Sequence, residues 1–367
     1  MHIVIAAGGT GGHIYPALAV AQVARGCGNQ ISFAGGLQGP EAQLAESHGL
    51  DFRGFDVQGF DRSRPTSLLS ATRKMLHATR LAKDWLRQIG ATAVCTFGGY
   101  ACLGVGRAAL QIGLPLLVHE QNSYPGITNR DLAKKAQAIA LTYQDALSHM
   151  QPKADALVEV TGNPVRQEFL DSVSAYTAKV TSGELASEHD GRHLLVFGGS
   201  QGARHLNQAV IALRDRLQDV ALTLVTGPGE FERAQAALEE QGGQPESWQL
   251  LPYCDHMPEA MLTADLALCR AGAGTLAELA VCKLPAILVP YPYATADHQT
   301  ANARALTEGG ACDFIADADL GSEAFSEKLF GLIQHQDRLK QMRRAYRDFV
   351  AGNAAQNVYD LLVRIVK

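Results

Sequence analysis

The fold is indicated by the stretch HIVIAAGGTGGH, residues 2–13, in which an apolar run leads directly into glycines and a histidine. The same order returns at residues 193–203 as HLLVFGGSQGA. Each stretch predicts a buried β-strand, a glycine turn and the start of a helix. Glycine lets the backbone approach a ligand closely, and the N–H groups at a helix start favour phosphate. Two such stretches, roughly half the chain apart, predict two similar α/β domains that bind anionic ligands.

Short apolar runs alternate with helical patterns along most of the sequence, which predicts parallel sheets with helices on both faces. The strands expected in the first half are Ile3–Ala6, Gln30–Phe33, Ala93–Thr96, Leu116–His119 and Ala138–Leu141. Those expected in the second half are Leu194–Phe197, Ala221–Val225, Trp248–Pro252, Leu266–Cys269 and Ala286–Val289. Ligands of such sheets bind beyond the carboxyl ends of the strands.

Turn-forming residues mark the expected domain boundary. Gly162-Asn163-Pro164 follows the first set of strands, so we predict an N-terminal domain at 1–163 and a C-terminal domain at 164–348. The polar segment Ser172–Arg192 predicts a surface loop leading into the second domain. A last helix at about 349–367 is expected to pack back on the first domain through its apolar residues.

Composition excludes several classes of protein. A length of 367 residues with 47% hydrophobic residues suits two soluble domains, and the net charge of −5 gives no general attraction to nucleic acid. The seven cysteines include no C-x-x-C pair, so a zinc site or a disulfide framework is not expected. No apolar run approaches the roughly 20 residues of a membrane-spanning helix. We expect a cytoplasmic protein that can touch a membrane from one side.

His13 follows the first glycine run and is expected in the first turn of the next helix. The helix dipole disfavours a cation there, so the neutral imidazole can accept a proton as a general base. A histidine that only caps the helix is the alternative. The run is not a dinucleotide fingerprint, because G-x-G-x-x-G read from Gly9 requires glycine where Ile14 stands.

Four polar residues, His119-Glu120-Gln121-Asn122, follow a predicted strand. They are costly inside a core and natural at a surface that meets a polar ligand. Amide and carboxylate groups together suit the hydroxyl groups of a sugar. The alternative is a hydrogen-bond network that ties the loop to the end of the strand.

Two stretches of the second half combine a helix start with polar side chains. In Gly272–Glu278, the carboxylate of Glu278 can accept two hydrogen bonds from a ribose diol, and a capping box between Thr275 and Glu278 is the alternative. Gln299 and Asn302 lie three residues apart and so share one helical face. There the alternative is an ordinary polar helix surface.

The stretch Thr66–Gln88 is basic and partly amphipathic, with roughly one stripe formed by Arg73, Leu76, Arg80, Lys83 and Arg87. A basic helix that also presents leucine can lie on an anionic membrane. An ordinary solvated helix with one core face is the alternative.

Taken in order, these motifs resemble those of the MurG family of glycosyltransferases, which act in bacterial peptidoglycan synthesis. The resemblance rests on GGTGGH at 8–13, HEQN at 119–122, GNPVR at 162–166, GGSQGA at 198–203 and the run from Cys269 to Glu278. It covers essentially the whole chain. It implies an α/β GT-B fold, with two Rossmann-like domains whose parallel sheets are separated by a cleft. The first domain would bind the lipid-linked acceptor and the second the sugar-nucleotide donor.

The resemblance also implies roles for matched residues. His13 is the candidate base, with Glu120 as the second candidate. The acceptor diphosphate would be cradled by Thr10, Gly11 and Gly12. The donor would be held by Arg166 and Ser200, with its uracil on the backbone of Cys254 and its ribose hydroxyls on Glu278. The donor diphosphate and ribose would be lined by Ala273, Gly274, Thr275, Leu276 and Ala277. The GlcNAc hydroxyls would contact Gln299 and Asn122.

The implied activity is inverting transfer of GlcNAc from UDP-GlcNAc to the C4 hydroxyl of MurNAc in lipid I, the undecaprenyl-diphosphate-linked MurNAc-pentapeptide. The products are lipid II, with a β-1,4 link, and UDP. The implied place is peripheral, at the cytoplasmic face of the inner membrane on an anionic surface. We expect no bound metal, since Asp317-Ala318-Asp319 is the only D-x-D sequence. No other cofactor and no nucleic acid partner is expected either. The alternative is another UDP-sugar enzyme of this fold, such as a UDP-GlcNAc epimerase, which needs no acceptor.

Overall fold

The computed structural model describes residues 1–57, 67–184, 193–199, 203–294, 297–349 and 353–366. The chain divides into two compact units. Unit 1 consists of Met1–Arg166 and Ala351–Lys367, and unit 2 consists of Gln167–Val350. Unit 1 is therefore built from two separate parts of the sequence.

Both units contain parallel strands connected through helices. The strands are β1 (His2–Ala6), β2 (Gln30–Gly36), β3 (Asp51–Phe55), β4 (Ala93–Thr96), β5 (Leu116–Glu120), β6 (Ala138–Leu141), β7 (Leu157–Val160), β8 (His193–Phe197), β9 (Ala221–Val225), β10 (Trp248–Leu251), β11 (Leu266–Cys269), β12 (Ala286–Leu288) and β13 (Cys312–Phe314). The helices are α1 (Gly11–Gly26), α2 (Glu41–Ser47), α3 (Ser67–Gln88), α4 (Tyr100–Gln111), α5 (Ile127–Ala133), α6 (Gln167–Ser182), α7 (Arg204–Ile211), α8 (Phe231–Glu240), α9 (Met257–Thr263), α10 (Ala273–Cys282), α11 (His298–Glu308), α12 (Glu323–Gln334), α13 (Gln336–Ala345) and α14 (Ala354–Ile365).

The sheet of unit 1 has the strand order β3-β2-β1-β4-β5-β6-β7. Successive residues of a strand point to opposite faces, and β1 follows this rule with apolar residues on both. Ile3 and Ile5 pack in a core cluster with residues of α1 and α14. Val4 and Ala6 pack in a second cluster with residues of α3 and α4. The central strand is thus covered by helices on both faces.

The sheet of unit 2 has the strand order β10-β9-β8-β11-β12-β13. Leu194 and Val196 of β8 lie in one core cluster with residues of α7 and α12. Leu195 and Phe197, which point to the other face, are also buried. Both units confirm the predicted parallel α/β architecture. In each, glycine-containing loops follow the carboxyl ends of the central strands, at the edge where ligands of such sheets bind.

One local prediction was wrong. The segment Ser172–Arg192 was expected to be a surface loop, but α6 extends to Ser182, and residues 185–192 lie outside the described part of the chain. Only Phe169 of α6 is fully buried, so the segment carries a weak apolar pattern. Helix α1 begins at Gly11, so Pro16 is its sixth residue and lies inside the helix. Proline has no N–H, so the carbonyl of Gly12 lacks its intrahelical donor there.

Within the part of the chain that the structure describes, no helix is both long enough and apolar enough to cross a membrane.

Candidate active site

The first glycine loop connects β1 to α1. Thr10 is the N-cap residue, with φ −143° and ψ 157°. Thr10 and Gly12 are exposed, and Gly11 is half-buried. The first turn of α1 contains no acidic residue, and its N–H groups lie at the positive end of the helix dipole. An anion placed against Thr10, Gly11 and Gly12 is therefore stabilised electrostatically.

His13 is the third residue of α1 and is half-buried. Its Nδ1 lies 3.0 Å from the carbonyl oxygen of Gly8. A carbonyl oxygen only accepts, so Nδ1 carries the proton, and in the neutral ring Nε2 carries the lone pair. The local fold thus fixes one tautomer, in which Nε2 is the atom that can accept a proton.

A second pair of glycines, Gly98-Gly99, completes the surroundings of His13 and was not predicted. The N–H of Gly8 donates to the carbonyl of Gly98 at 3.1 Å. Gly98 and Gly99 have φ of +103° and +90°. A Cβ on Gly98 would lie 2.9 Å from Nε2 of His13, and one on Gly99 would overlap the carbonyl of Gly8. The pair follows β4 just as Gly8-Gly9 follows β1, and that repeated pattern is the signal that could have identified it.

Glu41, the first residue of α2, also contacts the first glycine loop. Its Oε1 accepts a hydrogen bond from the N–H of Gly9 at 2.8 Å, and the residue is only 2% exposed. It lines a cavity of about 160 Å³ together with Gly8, Gly9 and Tyr100. No motif pointed to Glu41, because only the pairing of β2 with β1 brings α2 to this loop.

Glu120, the last residue of β5, is 1% exposed and accepts four hydrogen bonds. Its Oε1 accepts from the backbone N–H of Asn122 at 2.9 Å and from the side-chain amide of Asn122 at 3.2 Å. Its Oε2 accepts from the N–H of Gly126 at 3.1 Å and from Nδ2 of Asn129 at 2.8 Å. This carboxylate ties the loop to the strand end, as in the alternative interpretation of the motif. Proton acceptance by Glu120 would break one of these bonds.

His119 is fully buried, and burial lowers the pKa of its imidazole to about 4, although the hydrogen bond to Gly162 acts in the opposite direction. Its Nε2 donates to the carbonyl of Gly162 at 3.1 Å, and its Nδ1 accepts from Nε2 of Gln121 at 3.0 Å. The ring is therefore neutral at physiological pH, with both nitrogens used inside the protein. His119 connects β5 to the turn at Gly162 and is a structural residue.

Arg166 is the last residue of unit 1. Its guanidinium carbon lies 5.0 Å from the centroid of the Tyr15 ring in α1. The cation therefore packs on the helix that carries His13.

In unit 2, the second glycine loop follows β8, and α7 begins at Arg204 with Ala203 as its N-cap. Ser200 lies outside the described residues, so its predicted contact with the donor stays a prediction. Cys254 is half-buried in the turn after β10, where burial raises the pKa of its thiol. Its predicted contact with uracil through the backbone stays a prediction.

The glycine turn after β11 opens α10. Gly272 is the N-cap residue without a side-chain cap, and Thr275 is the third residue of the helix. The capping box between Thr275 and Glu278 was therefore a wrong alternative, because Thr275 stands inside the helix. Ala273 and Leu276 are buried, whereas the half-buried residues are Gly274, Thr275, Ala277 and Glu278. The first group offers only backbone to a ligand, and in the second group Thr275 and Glu278 also offer polar side chains.

Arg270 precedes this turn and is only 8% exposed. It donates to the carbonyls of Val289 and Pro290 at 3.2 and 3.3 Å and forms an ion pair with Asp317. Asp317 also contacts Nδ1 of His205 at 2.8 Å. Burial alone would raise the pKa of Asp317, but hydrogen bonds from His205 and Arg270 and the charge of Arg270 lower it below its usual value. The first aspartate of the D-x-D sequence is thus paired with Arg270 and His205 of the protein itself. Among the described residues, no group of three or more His, Cys, Asp or Glu side chains is arranged to hold a metal ion.

Gln299 is the second residue of α11 and is half-buried. Its Oε1 accepts from the N–H of Tyr291 at 2.9 Å, which fixes the orientation of the amide. Asn302 is fully buried. A plain polar helix surface, the alternative interpretation, was therefore wrong for Asn302.

Known proteins resemble both halves of the chain. The model of the glycosyltransferase family 28 N-terminal domain matches residues 3–141, and that of the family 28 C-terminal domain matches residues 193–362. A protein of Halothermothrix orenii named UDP-N-acetylglucosamine–N-acetylmuramyl-(pentapeptide) pyrophosphoryl-undecaprenol N-acetylglucosamine transferase is 37% identical, with 94% of each chain covered.

Solved structures agree with these matches. The crystal structure of Acinetobacter baumannii MurG has a TM-score of 0.78 and 30% identity, with 99% of each chain covered. UDP-GlcNAc 2-epimerase of Neisseria meningitidis has a TM-score of 0.65 at 14% identity, with 99% of this chain and 100% of the epimerase covered, which shows a shared fold alone. The two parallel α/β units and these full-length matches identify the GT-B fold. The chain belongs to glycosyltransferase family 28 and, within it, to the MurG family.

Proposed function

We propose that the protein transfers GlcNAc from UDP-GlcNAc to the C4 hydroxyl of MurNAc in lipid I, giving lipid II and UDP. The names of its full-length relatives support this choice of substrates. The observation that carries the chemistry is the 3.0 Å contact between Nδ1 of His13 and Gly8. It makes Nε2 a proton acceptor at the start of a helix that favours anions.

In this proposal His13 is the general base. Its Nε2 takes the proton of the acceptor hydroxyl while the hydroxyl oxygen bonds to the anomeric carbon of GlcNAc. The bond from that carbon to the UDP oxygen breaks, and the electron pair leaves with UDP. Attack opposite the leaving group inverts the anomeric carbon. The four hydrogen bonds of Glu120 support a positioning role for it, with Asn122 held beside the sugar.

Unit 1 would bind the acceptor. The N–H groups of Thr10, Gly11 and Gly12 suit its diphosphate, because they lie at the positive end of α1. The first turn of α1 contains no acidic residue, which supports an anion at the exposed side of the loop.

Unit 2 would bind the donor. The backbone at Ala273–Ala277 lies at the positive end of α10, where the charge that develops on the leaving UDP is stabilised. Glu278 would accept from the ribose hydroxyls, Gln299 would contact GlcNAc, and the backbone of Cys254 would meet uracil. Arg166 and Ser200 would complete the contacts with the donor.

We further propose that α3 docks on the anionic cytoplasmic face of the inner membrane, where the acceptor's polyprenyl chain resides. Ala71, Met75, Ala82 and Leu86 form the buried face of the helix. The opposite face exposes the residues Arg73, Leu76, Arg80, Leu81 and Arg87. Leu76 is 65% exposed, so apolar and basic groups are presented together.

Reversing charge on α3 is expected to weaken membrane binding. Co-sedimentation with vesicles containing anionic lipid should fall several-fold in an Arg80→Glu, Lys83→Glu variant, since each basic residue near such a surface contributes about 1 kcal/mol. Lys179→Glu with Lys283→Glu, both exposed in unit 2, makes the same change of net charge and should bind vesicles normally. Equal binding by the two variants would argue against docking through α3.

The proposed activity is tested by measuring UDP release from UDP-GlcNAc with and without a soluble lipid I analogue. We expect release only with the analogue, together with a β-1,4-linked disaccharide product. Release or isomerisation of the sugar without the analogue would instead support a UDP-sugar epimerase. No turnover under either condition, with folded protein, would contradict both activities.

A further inference from the structure

One peptide group of the first glycine loop is held at both ends by side chains. The N–H of the Gly8–Gly9 peptide donates to Oε1 of Glu41 at 2.8 Å. The carbonyl of the same peptide accepts from Nδ1 of His13 at 3.0 Å. A carboxylate, one amide and an imidazole therefore form a continuous chain of two hydrogen bonds.

The carboxylate occupies a place that the fold makes for it. Glu41 is 2% exposed, and a Cβ on Gly35 would lie 2.8 Å from its own Cβ. A Cβ on Gly39 would overlap the carboxylate itself. A charged group in such a place requires hydrogen bonds to offset the loss of water, and the Gly9 N–H supplies one.

We propose that Glu41 is a positioning residue for His13 and acts through the Gly8–Gly9 peptide. This inference rests on the proposed role of His13 as the base. A carboxylate that accepts from the peptide N–H polarises the amide and makes its carbonyl oxygen a better acceptor. The stronger bond to Nδ1–H holds the ring orientation and keeps the lone pair on Nε2. It also stabilises the imidazolium that forms when Nε2 takes the acceptor proton, as carboxylates do for histidines they contact directly.

The arrangement differs from a simple loop anchor in one testable respect. If Glu41 only anchored the loop, any hydrogen-bond acceptor of the same shape would hold it equally well. A glutamine at position 41 would then replace the glutamate without loss of activity. Polarisation of the amide requires the charge, so Glu41→Gln would keep the loop and lose the effect on His13. A double-mutant cycle with His13 separates the two cases.

The experiment compares Glu41→Gln in the full-length protein with and without His13→Ala. We expect Glu41→Gln to lower kcat about 10-fold, the lower end of what orienting partners contribute elsewhere, with the KM for UDP-GlcNAc unchanged. In the His13→Ala background it should have no further effect. The matched control is Glu46→Gln, an exposed glutamate of the same helix, which should keep the wild-type kcat.

A second readout does not depend on turnover. In protein labelled with [¹⁵N]histidine, the ¹H–¹⁵N correlations of His13, assigned by their loss in His13→Gln, should show the proton on Nδ1. Glu41→Gln should shift the Nδ1–H signal or add the other tautomer, whereas Glu46→Gln should not. An unchanged His13 signal in Glu41→Gln, or an equal loss of kcat in both backgrounds, would overturn the proposal. A His13→Ala enzyme with normal kcat would instead overturn the role of His13 as base, so the two failures are distinguishable.

Discussion

Replacing His13 with alanine is expected to lower kcat for GlcNAc transfer by roughly 10²- to 10⁴-fold, the range that a general base contributes. The affinity for UDP-GlcNAc should change little, because the proposed donor contacts lie mainly in unit 2. His13→Gln should be similarly impaired, since its amide can bond to Gly8 but does not accept a proton at neutral pH. The measurement is steady-state disaccharide formation, with donor binding determined separately by calorimetry.

Glu120 is the other candidate for the general base, and its substitution is expected to give a different result from that of His13. Glu120→Gln places an amide NH₂ where the carboxylate accepts from N–H groups, so we expect a lower free energy of unfolding along with lower activity. If His13→Ala kept a near-normal kcat while a folded Glu120→Gln enzyme lost it, Glu120 would be the base. The four donors around Glu120 favour a structural role, in which Glu120→Gln lowers the free energy of unfolding and His13 remains the base.

Substituting Gly99 with alanine should damage both activity and stability. The added methyl would overlap the Gly8 carbonyl that orients His13, and φ at this position is +90°. Left-handed strain and overpacking each cost on the order of 1–3 kcal/mol, so we expect a loss of about 2–5 kcal/mol in the free energy of unfolding. A displaced carbonyl also misplaces the base, which lowers kcat by about 10²-fold.

Gly113 offers the matched control for this substitution. Its φ is +75°, but a Cβ there would meet nothing within 4 Å. Gly113→Ala should therefore lose only about 1 kcal/mol of the free energy of unfolding, from the left-handed backbone conformation, and keep the wild-type kcat. Denaturant unfolding and initial rates of both variants provide the comparison. Equal kcat values for the two variants would mean that the Gly8 carbonyl does not position the base.

The central strands were predictable from sequence, whereas three of the four edge strands in the described sheets were missed. Strands such as β4 and β6 are fully buried apolar runs whose predicted bounds were correct. The missed strands are β3, β7 and β13, which lie at edges of the two sheets. An edge strand has a neighbour on one side only, so it needs less apolar sequence: β3 reads DFRGF, with Asp51 and Arg53 exposed. Periodicity alone does not distinguish such a stretch from a loop.

In the candidate site too, some features follow from local sequence and others depend on the tertiary structure. Motif residues such as His13 stand directly after a strand, and their place at the sheet edge follows from local sequence. Glu41 belongs to another helix and reaches the loop only because β2 pairs beside β1. Glu120 had an evident position, but its hydrogen-bond partners depend on how the loop to Gly126 folds back. Sequence therefore located the groups, and tertiary structure decided how their hydrogen bonds are used.

The last helix has a consequence for the order in which the protein is made. Val358 and Leu362 of α14 complete the same core as Ile5 of β1, and Tyr359 accepts a hydrogen bond from Asn29, 330 positions earlier in the chain. During translation the ribosome therefore finishes all of unit 2 before unit 1 can close its core. Until α14 emerges, the part of α1 that packs against α14 is uncovered, and the nascent chain carries an exposed apolar surface for chaperones to protect. Unit 1 starts first and is completed last.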